Sequence, residues 1–459
     1  MNAVASPEAS YCELREHELR RTRMLMIDGS LAVNSRTAEA GVSARVYDRG
    51  YWGFASAPAV GSDAASTRER VRAQARTNAR TMARFGSRSP LVLAGDVLRR
   101  PNAPAPGRAL LTPAHCVERL SALQAWCKAR YPQLKSARFM LHDEHHTKRL
   151  VTSNGSEVVN AIARATVYVT LATEDEHGVP IEIFESVSGR GSLADLDLSV
   201  DALAPFIDSL HEHLQAKRHA VPARGGERTV VLAPELAGML AHEAMGHPCE
   251  ADLVLGGAVT GDLVGQRIAS ELVTMVDFAH HYDGAEVMVP VYADDEGTPA
   301  RDAVLIDRGR LTEFMSSRET AARLGIAATG NARAYGPNDE PLVRMRNTAI
   351  LPGHSKLDEM VAGVDDGYLL MKTGNGQADS TTEFTFGVTL GYEIRNGKRG
   401  RAIRETTLSG SAIKVLQTVD AVSDDMYWTC SGYCGKKQLM VVSMGGPALR
   451  ARAHLGGQA

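Results

Sequence analysis

The chain has 459 residues, 44% of them hydrophobic and 23% charged, and this length predicts two or three domains rather than one compact core. Its 51 basic and 54 acidic residues leave a formal net charge of −3, which argues against binding nucleic acid through a broad cationic face. No apolar run is long enough to span a membrane, and the first thirty residues lack the apolar core of a secretory signal. We therefore expect a cytoplasmic protein in which a functional cysteine is a metal ligand or a nucleophile, not half of a disulfide.

The N-terminal half combines strand and helix patterns. Its polar first twenty-odd residues predict an exposed arm or a first helix, and short apolar runs separated by glycines from Arg23 to Ala57 predict a small antiparallel sheet. The stretch ARATVYVTLA, which ends at Ala172, is typical of a strand. Helices are predicted at Ser62–Phe85 with a cap at Ser62 or Asp63, from Thr112 with Pro113 in the first turn, and at Leu198–His219.

The segment Ala220–Arg228 (AVPARGGER) joins a proline, two glycines and several charges after a helix, which is typical of a domain boundary. Beyond it the pattern shifts to strands and turns. We therefore expect an α/β (α+β) protein with an N-terminal mixed α/β domain over residues 1–222. A β-dominated C-terminal domain should cover residues 223–459.

One motif carries metal chemistry. Residues 228–252 read RTVVLAPELAGMLAHEAMGHPCEAD, which predicts a strand, a helix that begins at Pro234, and within that helix the pattern HExxxH from His242 to His247. This pattern is one residue longer than the zinc-protease pattern HExxH. Helix positions four apart differ by about 40° in azimuth, whereas positions five apart differ by about 140°, so a regular helix would separate the two imidazoles. Either His247 leaves the helix between Gly246 and Pro248, or a π-type turn brings the two rings onto one face.

Two imidazoles leave a catalytic zinc site incomplete, because such a site takes three protein ligands and a water. The dense cysteine cluster, Cys430 to Cys434, offers a thiolate as the third ligand. From the residues alone, either of these two cysteines completes a site with His242 and His247.

The C-terminal half resembles the TldD/PmbA family of metal-dependent peptidases. The resemblance rests on four blocks in order: HEAMGHPCEAD at 242–252, DDEGTPARDAVLIDRGRLTEFMSSRETAARLG at 294–325, TGNARAYGPNDEPLVRMRNT at 329–348, and CGKKQLMVVSMGGPALR at 434–450. It implies that zinc is bound by His242, His247 and Cys434. One departure is Lys436-Lys437-Gln438, where many members of the family have a glycine before the glutamine.

The same resemblance implies zinc-dependent hydrolysis of peptide bonds in unstructured peptides or small proteins, in peptide maturation or in the turnover of labile proteins. Glu243 would act as the general base, taking a proton from water and passing it to the leaving amine. Arg333 and Tyr335 would line the substrate path. The chain would form a dimer, with a related metal-free subunit or with itself.

Several residues have less specific interpretations. The cluster His142, His145 and His146 is typical of a solvated strand end, and Glu250 and Asp252 either orient a ligand histidine or belong to an exposed face. Two rival functions are a non-catalytic peptide-binding partner subunit of the same fold and a modulator that binds a nucleic-acid enzyme.

Overall fold

The computed structural model describes residues 10–59, 64–86, 88, 91–93, 96–100, 102 and 108–457. Within these residues the N-terminal half forms one sheet in the order β3-β2-β1-β5-β6-β4, with β7 also paired to β6. Its elements are β1 (Tyr11–Ile27), β2 (Ser30–Asp48), β3 (Tyr51–Pro58), α1 (Ala64–Met82), β4 (Arg99–Arg100), α2 (Pro113–Arg130), β5 (Ser136–Thr152), β6 (Glu157–Glu174), β7 (Pro180–Arg190) and α3 (Val200–Lys217).

The predicted helices are present, and two of them cover the sheet. Thr112 caps α2 by accepting a hydrogen bond from the backbone N–H of His115. The apolar faces of α2 and α3 pack with β5 and β6 in one buried cluster that includes Leu120, Phe139 and Ile207. The proposed caps of α1 lie outside the described residues.

The prediction of an exposed arm or a first helix over the first twenty-odd residues is wrong for the part that the structure describes, while residues 1–9 lie outside the described residues. Residues from Tyr11 onward form the long strand β1, and its alternate positions Glu13, Arg15, His17 and Leu19 are buried. Strand periodicity is present, but charged side chains occupy inward positions, so the apolar pattern that marks a half-buried strand is missing. Arg15 instead donates to the carbonyl of Asp339, and His17 forms a hydrogen bond with His146, because buried polar and charged groups require such partners.

The C-terminal half contains two larger sheets among the described residues, ordered β13-β12-β9-β16-β25-β22 and β17-β8-β26-β20-β18-β19. Its helices are α4 (Pro234–Met239), α5 (Ala251–Leu255), α6 (Arg318–Leu324), α7 (Leu357–Ala362) and α8 (Ala412–Gln417). Its strands are β8 (Gly226–Leu232), β9 (Met275–Phe278), β10 (His281–Tyr282), β11 (Ala285–Glu286), β12 (Ala303–Asp307), β13 (Arg310–Leu311), β14 (Ala332–Arg333), β15 (Leu342–Val343), β16 (Asn347–Ile350), β17 (Asp366–Ala378), β18 (Glu383–Arg395), β19 (Lys398–Ala402), β20 (Thr406–Ser411), β21 (Ala421–Val422), β22 (Tyr427–Thr429), β23 (Tyr433–Lys436), β24 (Gln438–Val441), β25 (Ser443–Gly446) and β26 (Leu449–Leu455).

Helix α4 and the turn that follows it contact strands of both C-terminal sheets. Leu236, Leu240 and Met245 are fully buried in the main core cluster, and the partly buried Met239 packs against it. The helix that carries the HExxxH pattern is therefore fixed from two sides.

The mixture of helix and strand confirms the predicted α+β class. The predicted domain boundary at 222/223 falls between the end of α3 and the start of β8. Among the described helices, none combines the length and the apolar character needed to cross a membrane.

Candidate metal centre

A widened helical turn presents the two histidines. Residues Leu240–Gly246 form a π-helical turn, and the backbone N–H of His247 donates to the carbonyl of His242, five residues earlier. His247 itself keeps helical dihedral angles, φ −58° and ψ −48°. Of the two geometries left open by the sequence, the π-type turn is the one present, and the exit of His247 from the helix before Pro248 is not.

Gly246 is required in this turn for space. A Cβ atom at this position would lie 2.3 Å from the sulfur of Met345 and 3.0 Å from the carbonyl oxygen of Ala241. The φ of Gly246 is −63°, an ordinary helical value. The turn therefore depends on a close approach between Gly246 and Met345, not on the conformational freedom of glycine.

The third residue comes from a separate hairpin formed by β23 and β24. The Sγ of Cys434 lies 3.2 Å from Nε2 of His247, although the two residues are 187 positions apart in the chain. The candidate ligand atoms of His242, His247 and Cys434 all lie within 4.8 Å of one another. Cys430 is not part of this group.

The surroundings of Cys434 favour its thiolate. Burial opposes ionisation, but the rings of His242 and His247 lower the pKa of this thiol to about 4. The pKa of Cys249 is raised to about 12 because this residue is buried without such partners. Since the thiolate is the form that binds metals, Cys434 is prepared for ligation and Cys249 is not.

Glu250 orients His247. Its carboxylate is fully buried and accepts a hydrogen bond from Nδ1 of His247 at 2.8 Å. Nζ of Lys436 donates to the same carboxylate at 2.9 Å and to Asp252 at 3.0 Å. Burial opposes ionisation of Glu250, but His247 and Lys436 lower its pKa to about 2. The exposed-face interpretation is wrong for Glu250, and the sequence had not indicated the contribution of Lys436.

Glu243 faces the same point as both rings. Its carboxylate oxygens lie 3.9 Å from Nε2 of His242 and 3.7 Å from Nε2 of His247. Its side chain is 22% exposed, whereas that of His242 is 3% exposed. Glu243 is thus more exposed to solvent than His242 or His247.

The donor set fits a metal ion that accepts imidazole and thiolate ligands. An imidazole nitrogen and a thiolate sulfur bonded to one zinc lie at most about 4.4 Å apart. The distance of 3.2 Å between Sγ of Cys434 and Nε2 of His247 is within this limit. Nδ1 of His242 is buried and has no hydrogen-bond partner among the described residues. With three protein ligands, a zinc ion would have a fourth coordination position available for water or substrate.

The two residues expected along the substrate path differ in placement. Arg333 is buried and donates to the backbone carbonyls of Met345 and Val441, so its guanidinium is engaged in the protein interior. Tyr335 lines a cavity of about 470 Å³ together with Tyr433, Leu439 and Arg21. The role predicted for Arg333 therefore rests on the family resemblance alone.

The interpretation of His142, His145 and His146 as a solvated strand end is wrong. They lie in the middle of β5, where His146 and Glu144 are buried. His146 forms hydrogen bonds to Glu144 at 3.2 Å and to His17 of β1 at 3.1 Å. Their polar character reflects a buried network at the junction of the two halves, which a local sequence pattern does not reveal.

Comparisons with known proteins agree with this geometry. Residues 225–455 match the family model described as the PmbA/TldA metallopeptidase C-terminal domain, and residues 12–74 match PmbA/TldA metallopeptidase domain 1. A metalloprotease of Methanothermobacter thermautotrophicus is 30% identical over 97% of this chain and 95% of its own length. A zinc metalloprotease TldD homolog of Saccharolobus solfataricus is 32% identical over 70% of this chain and 71% of its own.

Solved structures share the fold at low sequence identity. TldE from Thermococcus kodakarensis superposes with a TM-score of 0.75 and 19% identity over 97% of each chain. A protein from Thermotoga maritima described as a putative modulator of a DNA gyrase superposes with a TM-score of 0.79 and 16% identity, over 99% of this chain and 98% of its own. At such identities the likeness concerns the fold alone.

Proposed function

Because the chain belongs to the TldD/PmbA family of metallopeptidases, we propose that it is a zinc-dependent peptidase whose zinc is held by His242, His247 and Cys434. The observation that carries this proposal is the convergence of two imidazoles and a thiol of lowered pKa on one point. Imidazole and thiolate are the ligand types that zinc takes in proteins.

The residues around this point have separate tasks. When bound, zinc would polarise the scissile carbonyl and lower the pKa of a water molecule. Glu243 accepts the proton of the attacking water on its carboxylate and returns it to the leaving amine, since it faces both rings and is open to solvent. Glu250 holds His247 in one orientation through Nδ1.

The proposed substrates are unstructured peptides or small proteins, cleaved in the cytoplasm during peptide maturation or protein turnover. The deep burial of His242 and Cys434 supports this choice, because a folded domain cannot bring its backbone to buried side chains. The cavity beside Tyr335 and Tyr433 offers aromatic walls near the hairpin that carries Cys434.

The proposed assembly is a dimer, with a related metal-free subunit or with a second copy. This proposal rests on the family resemblance. Light scattering of the purified chain alone distinguishes the two forms: a self-paired enzyme has twice the 49.3 kDa mass of one chain, and an enzyme that needs a relative remains at the single mass. A mass of three or more chains would contradict both forms.

The role of Glu243 is tested with Glu243→Gln, which keeps the size of the side chain and removes its ability to take a proton. We expect unchanged zinc content and loss of peptide cleavage by a factor of about 100 or more. Zinc analysis and mass spectrometry of an unstructured peptide, measured on the same samples, report both quantities.

The matched control is Glu271→Gln, at an exposed side chain paired with Arg267, and it should cleave as the wild type does. Normal cleavage by Glu243→Gln would refute the general-base role. A wild-type protein that binds peptides but holds no zinc and cleaves nothing would instead support a non-catalytic partner subunit.

A further inference from the structure

The N-terminal sheet contacts the chain segment immediately before Cys434. Arg164 of β6 is 1% exposed, and its Nη1 donates to the carbonyl of Cys430 and, at 2.6 Å, to that of Gly432. The hydroxyl of Tyr168, also on β6, donates to the carbonyl of Ser431 at 2.6 Å. Three consecutive carbonyls before the hairpin are therefore held by one strand of the other half.

A buried carboxylate extends this contact to the hairpin itself. Glu144 of β5 is fully buried, pairs with Arg164 at 3.2 Å, and accepts a hydrogen bond from the hydroxyl of Tyr433 at 2.7 Å. The guanidinium of Arg164 also lies 4.1 Å from the centre of the Tyr433 ring. The residue next to Cys434 is thus fixed from the N-terminal side.

The hairpin needs such support. Strands β23 and β24 pair only with each other within the described part of the chain, and an isolated two-stranded hairpin is marginally stable. A Cβ atom added at Gly432 or Gly435, on either side of the cysteine, would meet nothing within 4 Å. From the C-terminal side, Arg344 donates to the carbonyl of Cys434 at 2.8 Å.

We propose that Arg164, together with Glu144 and Tyr168, is a positioning residue through which the N-terminal sheet places the thiolate of Cys434 against His242 and His247. This inference rests on the proposed zinc site. The side chains of Tyr433 and Cys434 point to opposite faces of β23, so holding the tyrosine on one face sets the direction of the thiolate on the other. The N-terminal half then completes the metal site without supplying a ligand to it.

Two sets of variants test this role. Arg164→Lys keeps the charge beside Glu144, but an ammonium group lacks the planar fork of donors that arginine offers. The double variant Tyr168→Phe with Tyr433→Phe removes only two hydroxyl groups and leaves both rings packed. The control is Tyr392→Phe, which removes a hydroxyl that bonds His213 and is not among the contacts of the Cys434 hairpin described above.

The measurements are metal affinity by competition with a chelator and the thiolate-to-cobalt charge-transfer absorption of the cobalt-loaded full-length protein. We expect Arg164→Lys to bind metal about 10–100-fold more weakly and to show a weakened charge-transfer band. The double phenylalanine variant should lose roughly two- to tenfold in affinity. The control should match the wild type.

The outcomes separate this inference from the proposed function. A wild-type protein without the charge-transfer band, or a Cys434→Ser variant that keeps it, would overturn the zinc site itself. The positioning role is tested when the wild type has the band and Cys434→Ser lacks it. In that case, Arg164→Lys and double phenylalanine variants with the metal affinity and the spectrum of the wild type would overturn the positioning role. Should Arg164→Lys fail to fold, the double phenylalanine variant decides alone.

Discussion

At the scale of single residues, the sequence predicted the candidate metal ligands but not the contacts of Glu250 and Lys436 beside them. HExxxH, the late cysteine and their family context predicted His242, His247 and Cys434 as a group, and the structure brings them together. For Glu250 the sequence left two roles open, because a carboxylate three residues after His247 is equally compatible with an exposed face. Only the fold shows that Lys436 and His247 both form hydrogen bonds with the Glu250 carboxylate.

Lys437 stands where the family resemblance implies a glycine, and the structure gives a physical reason to expect glycine at this position. Lys437 lies between the paired residues Lys436 and Gln438 and has a φ of 60°, in the left-handed region. This region favours glycine because a side chain there is strained.

We expect Lys437→Gly to raise the free energy of unfolding by about 0.5–1 kcal/mol, since relief of strain exceeds the added entropy of the unfolded chain. Chemical denaturation measures this change. Lys398→Gly, in β19 at a residue without a left-handed φ, should instead lower stability by about 0.5–1 kcal/mol. Equal destabilisation by both substitutions would show that the turn is not strained.

At the scale of elements, a π-type turn was one of two geometries that the spacing of the histidines allowed. The sequence did not distinguish them, because both use the same local residues. A tertiary contact accompanies this turn: Met345, from another part of the chain, packs so closely against Gly246 that a Cβ atom there would overlap its sulfur. Strand β1 was missed for a related reason, since its buried charges bond residues far along the chain, as Arg15 and the carbonyl of Asp339 show.

Gly246→Ala should destabilise the protein by about 1–3 kcal/mol, because the added methyl group overlaps the sulfur of Met345 in a packed core. The change is read from the midpoint and slope of denaturant unfolding. Gly432→Ala is the control, since a methyl group there meets nothing within 4 Å, and its effect should be small. A Gly246→Ala protein as stable as the wild type would show that this close approach is not required.

At the scale of the whole molecule, the α+β class and the three long N-terminal helices could be predicted, whereas the connection between the two halves could not. The connection consists of buried polar contacts, such as Lys148 to Asp295 at 2.7 Å and Arg164 to the segment before Cys434. Charged residues inside long strands are typical of exposed faces when only the local sequence is considered. Their partners lie more than a hundred positions away, beyond the reach of any periodicity.

The central claim is that one zinc ion is bound by two histidines and one cysteine of this chain. Zinc K-edge X-ray absorption of the purified protein tests it most directly. We predict one sulfur at about 2.3 Å and two imidazole nitrogens at about 2.0–2.1 Å, with the sulfur contribution lost in Cys434→Ser. A zinc spectrum of the wild type that contains nitrogen and oxygen neighbours but no sulfur would contradict this account.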